Sequence, residues 1–208
     1  MTGFKVVNLA VFVEEIGEDA VKGILSDFSC PLNNDVEYFL KHKAIDFAVQ
    51  GWAQTHLVFA SYKKEPVLVG YFTLANKYIR VSSKFLGKQS KSLRKRISKF
   101  SHFDKDLEAY ILSAPLIAQL GKNYANGYNR LITGDELLME ACDRISRIQF
   151  DLGGRFAYVE CEDKECLTSF YEKNGFCKFD KRELDADEAD KLYGQYLIQL
   201  LKYIHKKK

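Results

Sequence analysis

The sequence predicts an α/β (α+β) domain, and three observations support that fold class. Of the 208 residues, 47% are hydrophobic and 13% aromatic, which is enough apolar material to bury a substantial core. Apolar runs typical of strands alternate with segments of helical apolar spacing along most of the chain. No apolar run approaches the roughly 20 residues needed to cross a bilayer. We therefore expect one globular domain and no membrane partner.

The N-terminal third predicts one strand followed by two helices. Residues 4–13 are rich in Val, Leu and Phe, which favours a strand, and residues 18–28 carry apolar side chains at helical spacing. A second helix is expected to begin at Asn34, because Glu37 follows at capping-box spacing, and Gly51 is expected to end it.

Two β-rich runs follow, at residues 55–62 and 67–75, and they predict an antiparallel hairpin. Residues 63–66 separate the runs, so Pro66 is expected in the turn. Gly70 lies inside the second run. It either permits another element to pack closely on the strand or bends an ordinary strand.

Residues 76–107 interrupt this alternation with a basic segment. Ten lysines and arginines lie within residues 77–105 against one acid, Asp104, although the whole chain has a net charge of only +3. Leu93 and Ile97 have helical spacing, so we expect an insertion that docks on the domain rather than a linker. Such a charge run is most often a solvated face, and the functional alternative is attraction of an anionic partner.

The longest apolar strand is predicted at residues 108–121. Pro115 cannot donate to a central ladder, so the strand must bend, bulge or lie open there. A polar loop over residues 122–132 then leads into an amphipathic helix predicted at residues 133–150.

The C-terminal part predicts a strand, a short helix and two further strands. Residues 155–161 have strand character, and Asp163 is expected to cap the helix that follows. Strands are expected at residues 176–179 and 193–204, with a charged connection at residues 185–191.

Targeting and redox features predict a cytoplasmic protein. The first residues lack the basic start, long apolar stretch and cleavage site of a signal peptide. The five cysteines are an odd number without a regular framework, which favours a reducing compartment. The four histidines are scattered, so no metal site is predicted.

The segment Phe170–Phe176 reads Phe-Tyr-Glu-Lys-Asn-Gly-Phe and resembles the last signature of the GNAT superfamily of acetyl-CoA-dependent N-acetyltransferases. The order of predicted elements is similar to that family over nearly the whole chain. The resemblance implies a three-layer fold, with a mixed, mostly antiparallel central sheet and helices on both faces. Residues 1–208 would form one such domain, with the basic insertion at about 76–107.

The resemblance also implies acetyl-CoA as a co-substrate. In the family the central strand parts from its neighbour and pairs with the pantetheine arm, and the loop and helix start beyond it bind the pyrophosphate. Main-chain N–H groups at the strand end would hold the oxyanion. The residues expected to contact coenzyme A are Leu120, Gly121, Lys122, Arg130, Ile132, Thr133, Gly134 and Asp135.

The phosphate loop departs from the family pattern, which is usually Gln or Arg, two residues, Gly, one residue, then Gly or Ala. Asn129, Ile132 and Gly134 occupy the three motif positions here, so only the last glycine is kept. Thr133 and Glu136 also have capping-box spacing, which would use amides that a phosphate could otherwise bind.

The mechanism implied by the resemblance is direct attack of a neutral amine on the acetyl carbonyl. Tyr171 would be the general acid toward the departing thiolate, and the alternative is an aromatic core residue on a helix. Glu160 is the predicted general base, and the alternative is a carboxylate that only forms an ion pair.

The sequence leaves the acceptor open. A primary amine of a small molecule or protein is one hypothesis. A second is aminoacyl-tRNA, as for toxin-type members of the family, with RNA bound through residues 77–105 and a base stacked on Tyr78, Phe85 or Phe100. A third is a catalytically silent domain that binds coenzyme A as a sensor. A homodimer is also left open.

Overall fold

The structure is a computed structural model that describes residues 3–185 and 194–205. It contains eight strands, eight α-helices and one 3-10 helix among these residues. In chain order they are β1 (Phe4–Asn8), α1 (Leu9–Ile16), α2 (Glu18–Ser26), α3 (Asn34–His42), α4 (Ala44–Val49), β2 (Gln54–Tyr62), β3 (Glu65–Ser82), α5 (Ser83–Gly87), α6 (Lys91–Lys99), β4 (His102–Asp104), β5 (Ala109–Lys122), a 3-10 helix (Ala125–Arg130), α7 (Gly134–Leu152), β6 (Phe156–Glu162), α8 (Glu165–Lys173), β7 (Cys177–Glu183) and β8 (Tyr196–Tyr203).

The strands form an eight-stranded mixed sheet, which confirms the predicted fold class. The strand order is β1-β2-β3-β5-β6-β8-β7, and β4 pairs with β5. Antiparallel pairing joins β1 to β2, β2 to β3, β4 to β5, β6 to β8 and β7 to β8. Strands β5 and β6 pair in parallel, with Leu116 opposite Tyr158.

The chain divides into two compact units, and each unit has its own apolar core. The first comprises residues 1–75 and 117–143, and the second comprises residues 76–116 and 144–208. The first core includes Leu9, Val21, Leu25, Phe28, Val36, Leu40, Leu57 and Tyr71. The second includes Ile79, Val81, Leu86, Ile97, Leu112, Phe156, Tyr158, Phe179 and Leu201.

The predicted first strand at residues 4–13 is wrong beyond Asn8. The Asn8 side chain accepts a hydrogen bond from the Val11 amide at 3.2 Å and caps α1. Leu9 is buried, and Phe12, one turn later, packs on the first core. The apolar run therefore forms a helix because its spacing also suits one helical face.

The second predicted helix exists, but its cap and continuity differ from the prediction. Asn33, not Asn34, is the N-cap, and its side chain accepts hydrogen bonds from two first-turn amides. Glu37 accepts a hydrogen bond from the Cys30 amide at 2.7 Å rather than from a cap amide. The chain leaves helical geometry at Lys43, which separates α3 from α4.

The predicted hairpin is confirmed as β2 and β3, with a shorter turn than expected. Lys63 and Lys64 both have positive φ, 51° and 70°, as the tight two-residue turns of hairpins require. Pro66 is not in the turn, because it pairs with Ser61 inside the ladder. Strand β3 continues to Ser82, so the helical part of the basic segment begins only afterwards.

The basic segment docks on the second core, as predicted. Leu86 of α5 and Ile97 of α6 are buried there, and Leu93 packs against the same core. Ser82 and Ser90 cap the two helices by accepting first-turn amide hydrogen bonds. No helix in the described part of the chain is long and apolar enough to span a membrane.

Of the two C-terminal strands, β7 is longer than predicted and β8 is shorter. Strand β7 extends to Glu183, and β8 begins only at Tyr196. Asp163 does not cap α8; Lys164 occupies the cap position, and the Asp163 carboxylate accepts a hydrogen bond from Tyr196 at 3.2 Å. Residues 186–193, most of the predicted charged connection, lie outside the described residues.

Candidate active site

The end of β5 packs backbone against backbone on its neighbour in the first unit. A Cβ at Gly70 would lie 2.8 Å from the carbonyl oxygen of Gly121. A Cβ at Gly121 would lie 2.4 Å from the Val36 Cγ1 atom, which is closer than real Cβ atoms approach. Gly70 therefore permits close packing, the first of its two predicted roles. The β2–β3 register also shifts beside it, between Val58 and Phe59, so the second role, a bend in the strand, stays open. Leu120, beside Gly121, is half-buried.

Asn123, which was not among the residues predicted from the sequence, anchors the loop that follows β5. Its side chain Nδ2 donates to the Leu68 carbonyl at 2.9 Å. Its Oδ1 accepts hydrogen bonds from the amides of Ser29 and Ala125, both at 3.0 Å. Asn123 is buried, so all these bonds are shielded from water. An asparagine directly after a strand was the available signal.

Lys122 is bound to its own loop. The ammonium donates to the carbonyl oxygens of Asn129, at 3.0 Å, and Ile132, at 3.2 Å. Ile132 is buried, so its side chain belongs to the core. Arg130 is exposed, and its side chain forms no hydrogen bond or ion pair with any described residue. Of the two predicted phosphate-binding cations, Arg130 is therefore the one not engaged by the loop.

The capping box at the start of α7 is confirmed. The Glu136 carboxylate accepts hydrogen bonds from the Thr133 amide and hydroxyl, both at 2.8 Å, and the Glu136 amide donates to the Thr133 hydroxyl at 3.1 Å. The Thr133 amide holds the pKa of Glu136 below its usual value. The two remaining predicted contacts, Gly134 and Asp135, lie between these residues.

Tyr171 lies in α8 of the second unit and is buried, with 9% of its surface exposed. Its ring packs edge-to-face against Phe170, at a centroid distance of 5.1 Å, and against Phe176, at 5.6 Å. The helix ends before Gly175, whose φ of 81° fits the predicted left-handed stop. The signature segment thus forms the helix end that its sequence predicts.

Glu160 belongs to a side-chain network between β6, β7 and β8. Arg182 donates to one carboxylate oxygen through Nε at 2.9 Å and lies 2.8 Å from it through Nη2. The other oxygen accepts hydrogen bonds from the Tyr158 hydroxyl and from Gln199 at 3.3 Å. Gln199 also donates to the Tyr158 hydroxyl at 2.6 Å.

This network sets the protonation of both acidic groups. Burial would raise the pKa of Glu160, but hydrogen bonds from Arg182 and Tyr158 outweigh it, so the pKa lies below the ordinary value. Burial and the bond to Glu160 raise the pKa of Tyr158 well above its ordinary range. Glu160 is thus ionised at neutral pH, yet both of its oxygens already accept hydrogen bonds.

The aromatic residues predicted to stack on RNA have different environments. Phe85 packs on Phe179, and Phe100 packs on Phe156 and Tyr203, so both belong to the second core. Tyr78 is 74% exposed and remains available. Among the described residues, no three His, Cys, Asp or Glu side chains cluster as metal ligands.

The sheet is mostly antiparallel, with β5 and β6 parallel, and with its helices it matches the GNAT-like fold of solved structures. No protein-family model and no curated protein matches this sequence. Solved structures that share the fold include the toxin AtaT complexed with acetyl-methionyl-tRNAfMet, with a TM-score of 0.58 and 15% identity over 94% of this chain and 93% of that one.

Two further structures support the same fold. A tyrosine-to-phenylalanine mutant of KacT has a TM-score of 0.59 and 14% identity, over 95% of this chain and 94% of that one. AtaTR bound with acetyl-CoA has a TM-score of 0.54 and 14% identity, over 95% and 93%. The likeness therefore extends over nearly the full length of each chain.

Proposed function

We propose that the protein is an N-acetyltransferase that uses acetyl-CoA to acetylate a primary amine. The observation that carries this proposal is the GNAT-like fold, shared over nearly the whole chain with a structure solved with acetyl-CoA. Fold alone does not fix activity, so the residues at the strand end and at the signature segment must supply the chemistry.

The residues of the first unit fit a pyrophosphate-bearing ligand. Arg130 is an exposed cation on a loop that precedes a helix N-terminus, where unpaired amides and the helix dipole favour anions. The capping box uses the Thr133 and Glu136 amides, and Gly134 and Asp135 are the proposed contacts between them. Lys122 would act indirectly, by holding the loop carbonyls.

When bound, acetyl-CoA supplies an acetyl thioester. The main-chain N–H groups at Leu120 and Gly121 are the proposed oxyanion donors. Attack by a neutral amine forms the C–N bond and breaks the C–S bond. Tyr171 Oη would give a proton to the departing sulfur, and the attacking nitrogen would lose one, so protons balance.

Glu160 remains the sequence-based hypothesis for the base that takes the amine proton. Its lowered pKa, its three hydrogen bonds and its ion pair with Arg182 suit a fixed anion better than a mobile base. We therefore propose that Glu160 mainly stabilises the fold through its network. Replacing the Glu160 carboxylate distinguishes this role from that of general base.

An acceptor carried by tRNA is the second candidate, and the basic segment favours it. The neighbour AtaT was solved with acetyl-methionyl-tRNAfMet, in which the acetylated amine belongs to an amino acid on tRNA. In this chain, ten cations within residues 77–105 would attract such a polyanion. A small-molecule or protein amine requires no such segment.

Calorimetric titration with acetyl-CoA, followed by thiol-release assays, tests the proposal. We expect saturable acetyl-CoA binding, and thiol release with an acceptor from a panel of small amines, peptides and bulk aminoacyl-tRNA. Absence of acetyl-CoA binding would contradict the proposal. Binding without transfer to any acceptor would favour the sensor hypothesis instead.

A further inference from the structure

Helices α5 and α6 and strand β5 form an open groove in the second unit. Its volume is about 460 Å³, within the usual range of ligand sites. The side chains around it are polar, cationic or aromatic in most cases. The residues that line the groove are Ser83, Leu86, Gly87, Lys91, Arg94, Lys95, Ser98 and Tyr110.

Three cations of α6 line this groove from one helical face. Lys91, Arg94 and Lys95 have the i, i+3, i+4 spacing that places side chains together, and they extend about 6 Å along the helix. All three are exposed, and none forms an ion pair with an acidic residue in the described ranges 3–185 and 194–205. No acidic residue is among those that line the groove. The groove is therefore strongly cationic.

The other basic residue at the centre of α6 has a different environment. The Arg96 guanidinium lies over the Tyr203 ring, 4.4 Å from its centroid, and Arg96 is half-buried. Its neighbour Ile97 is buried in the second core. Helix α6 thus docks through Ile97 and Arg96 and directs Lys91, Arg94 and Lys95 into the groove.

The composition of the groove identifies the chemistry of its ligand. Three cations without acidic partners and the Ser98 hydroxyl suit phosphate oxygens, which accept charge-assisted hydrogen bonds. The other lining serine, Ser83, already donates its hydroxyl proton to the Glu108 carbonyl at 2.7 Å. Exposed Lys84 and Lys88, on and just after α5, extend the charge beyond the groove, which suits a linear polyanion. Tyr110 packs on the second core, and its ring contacts Phe103 at a centroid distance of 4.9 Å. It is only half-buried, however, and its remaining surface lines the groove, where an unpaired base could stack.

We infer that this groove binds the phosphodiester backbone of single-stranded RNA, with Lys91, Arg94 and Lys95 at the phosphates and Tyr110 against a base. Duplex DNA keeps its bases stacked and would leave the tyrosine unused. The inference deepens the proposed function, and rests on it, in that this RNA would carry the acceptor amine.

Fluorescence anisotropy without acetyl-CoA tests the inference. The probes are labelled single-stranded RNA of about 12 nucleotides, duplex DNA of the same length and a polyglutamate peptide. We expect K91A/R94A/K95A to weaken RNA binding at least about tenfold and to reduce the slope of log K against log salt by about 2. The matched control K77A/R80A/K105A removes three exposed cations of the same segment that do not line the groove. Its affinity should fall less than about threefold.

Several outcomes would overturn the inference. These are wild-type affinity in the groove variant, equal losses in both triple variants, or tighter binding of duplex DNA or polyglutamate than of RNA. Both variants alter exposed side chains, so their unfolding midpoints should match the wild type. The assay contains no acetyl-CoA; a wild type that binds RNA but not acetyl-CoA would sink the acetyltransferase proposal and leave the groove intact.

Discussion

Gly121 lies where the end of β5 contacts α3 and the first core. Its position leaves no room for a side chain, because an added Cβ would lie 2.4 Å from Val36 Cγ1. We predict that Gly121→Ala lowers the free energy of unfolding by about 1–3 kcal/mol, as overpacking does in cores. Urea denaturation measures this effect.

Gly23, in the exposed part of α2, is the matched control. A Cβ there meets nothing within 4 Å. Gly23→Ala should raise the free energy of unfolding by about 0.5–1 kcal/mol, because alanine is the better helix former. Equal effects of the two substitutions would contradict the close packing at β5.

Replacing Glu160 tests whether this residue stabilises the fold or acts in catalysis. Glu160→Gln removes the nearer of two described carboxylates that pair with Arg182, the other being that of Asp185, so we expect a loss of about 2–4 kcal/mol in unfolding free energy at pH 7. Because the pKa of Glu160 is lowered on folding, this advantage of the wild type persists down to the ordinary pKa of 4.5 and disappears as the pH falls through the lowered value. Denaturation across this pH range measures it.

The exposed pair of Glu18 and Lys22 is the control for that measurement. Glu18→Gln should leave the free energy of unfolding unchanged, since exposed ion pairs contribute little. If Glu160→Gln instead kept full stability and shifted the pH dependence of acetyl transfer, Glu160 would be the general base.

The loop between β5 and α7 depends on Lys122 for its shape. Lys122→Met removes two hydrogen bonds to loop carbonyls, at Asn129 and Ile132. We expect the amides of residues 125–133 to exchange with solvent about thirtyfold faster, because two such bonds of about 1 kcal/mol each contribute about 2 kcal/mol. Hydrogen exchange by mass spectrometry detects this without any ligand.

Arg130→Met is the paired control for the loop. The Arg130 side chain forms no hydrogen bond with the described residues, so loop exchange should stay at the wild-type rate. Acetyl-CoA affinity should nevertheless fall about tenfold, from the loss of one charge-assisted contact. Unchanged exchange in Lys122→Met would show that the loop is held by other contacts.

Elements with one clear periodic pattern could be predicted from the sequence. Helix α7 matches a single period, and its predicted limits lie within two residues of the observed ones. The β2–β3 hairpin was also predicted, but β3 continues to Ser82, well beyond its predicted end at residue 75. The run after Asn8 satisfied both strand and helix spacing, and packing on the first core decided for helix. Such choices depend on tertiary contacts that a local pattern does not contain.

The candidate site, like the fold, could be predicted from the sequence only where a local pattern determines it. The signature around Tyr171 has local spacing, and its helix end is where the sequence placed it. The bonds of Asn123 join residues far apart in the chain, so no local pattern revealed them. Likewise, Arg94 and Arg96 look equivalent in the sequence, and only the docking of α6 separates them.

At the scale of the whole molecule, charge is distributed unevenly along the chain. The net charge of +3 is the balance of a basic segment at residues 77–105 and an acidic remainder. An anionic acceptor would be attracted to that segment over roughly a Debye length, about 8 Å at physiological salt. Transfer to tRNA should therefore decline with salt more steeply than transfer to a neutral amine.

The central claim is acetyl transfer with Tyr171 as the general acid, and a single-turnover comparison tests it most directly. Protein in excess over radiolabelled acetyl-CoA is mixed with the acceptor found in the panel, for the wild type and Tyr171→Phe. We predict that the variant transfers acetyl about a hundredfold more slowly, with acetyl-CoA affinity within about twofold of the wild type. Equal single-turnover rates would contradict the account.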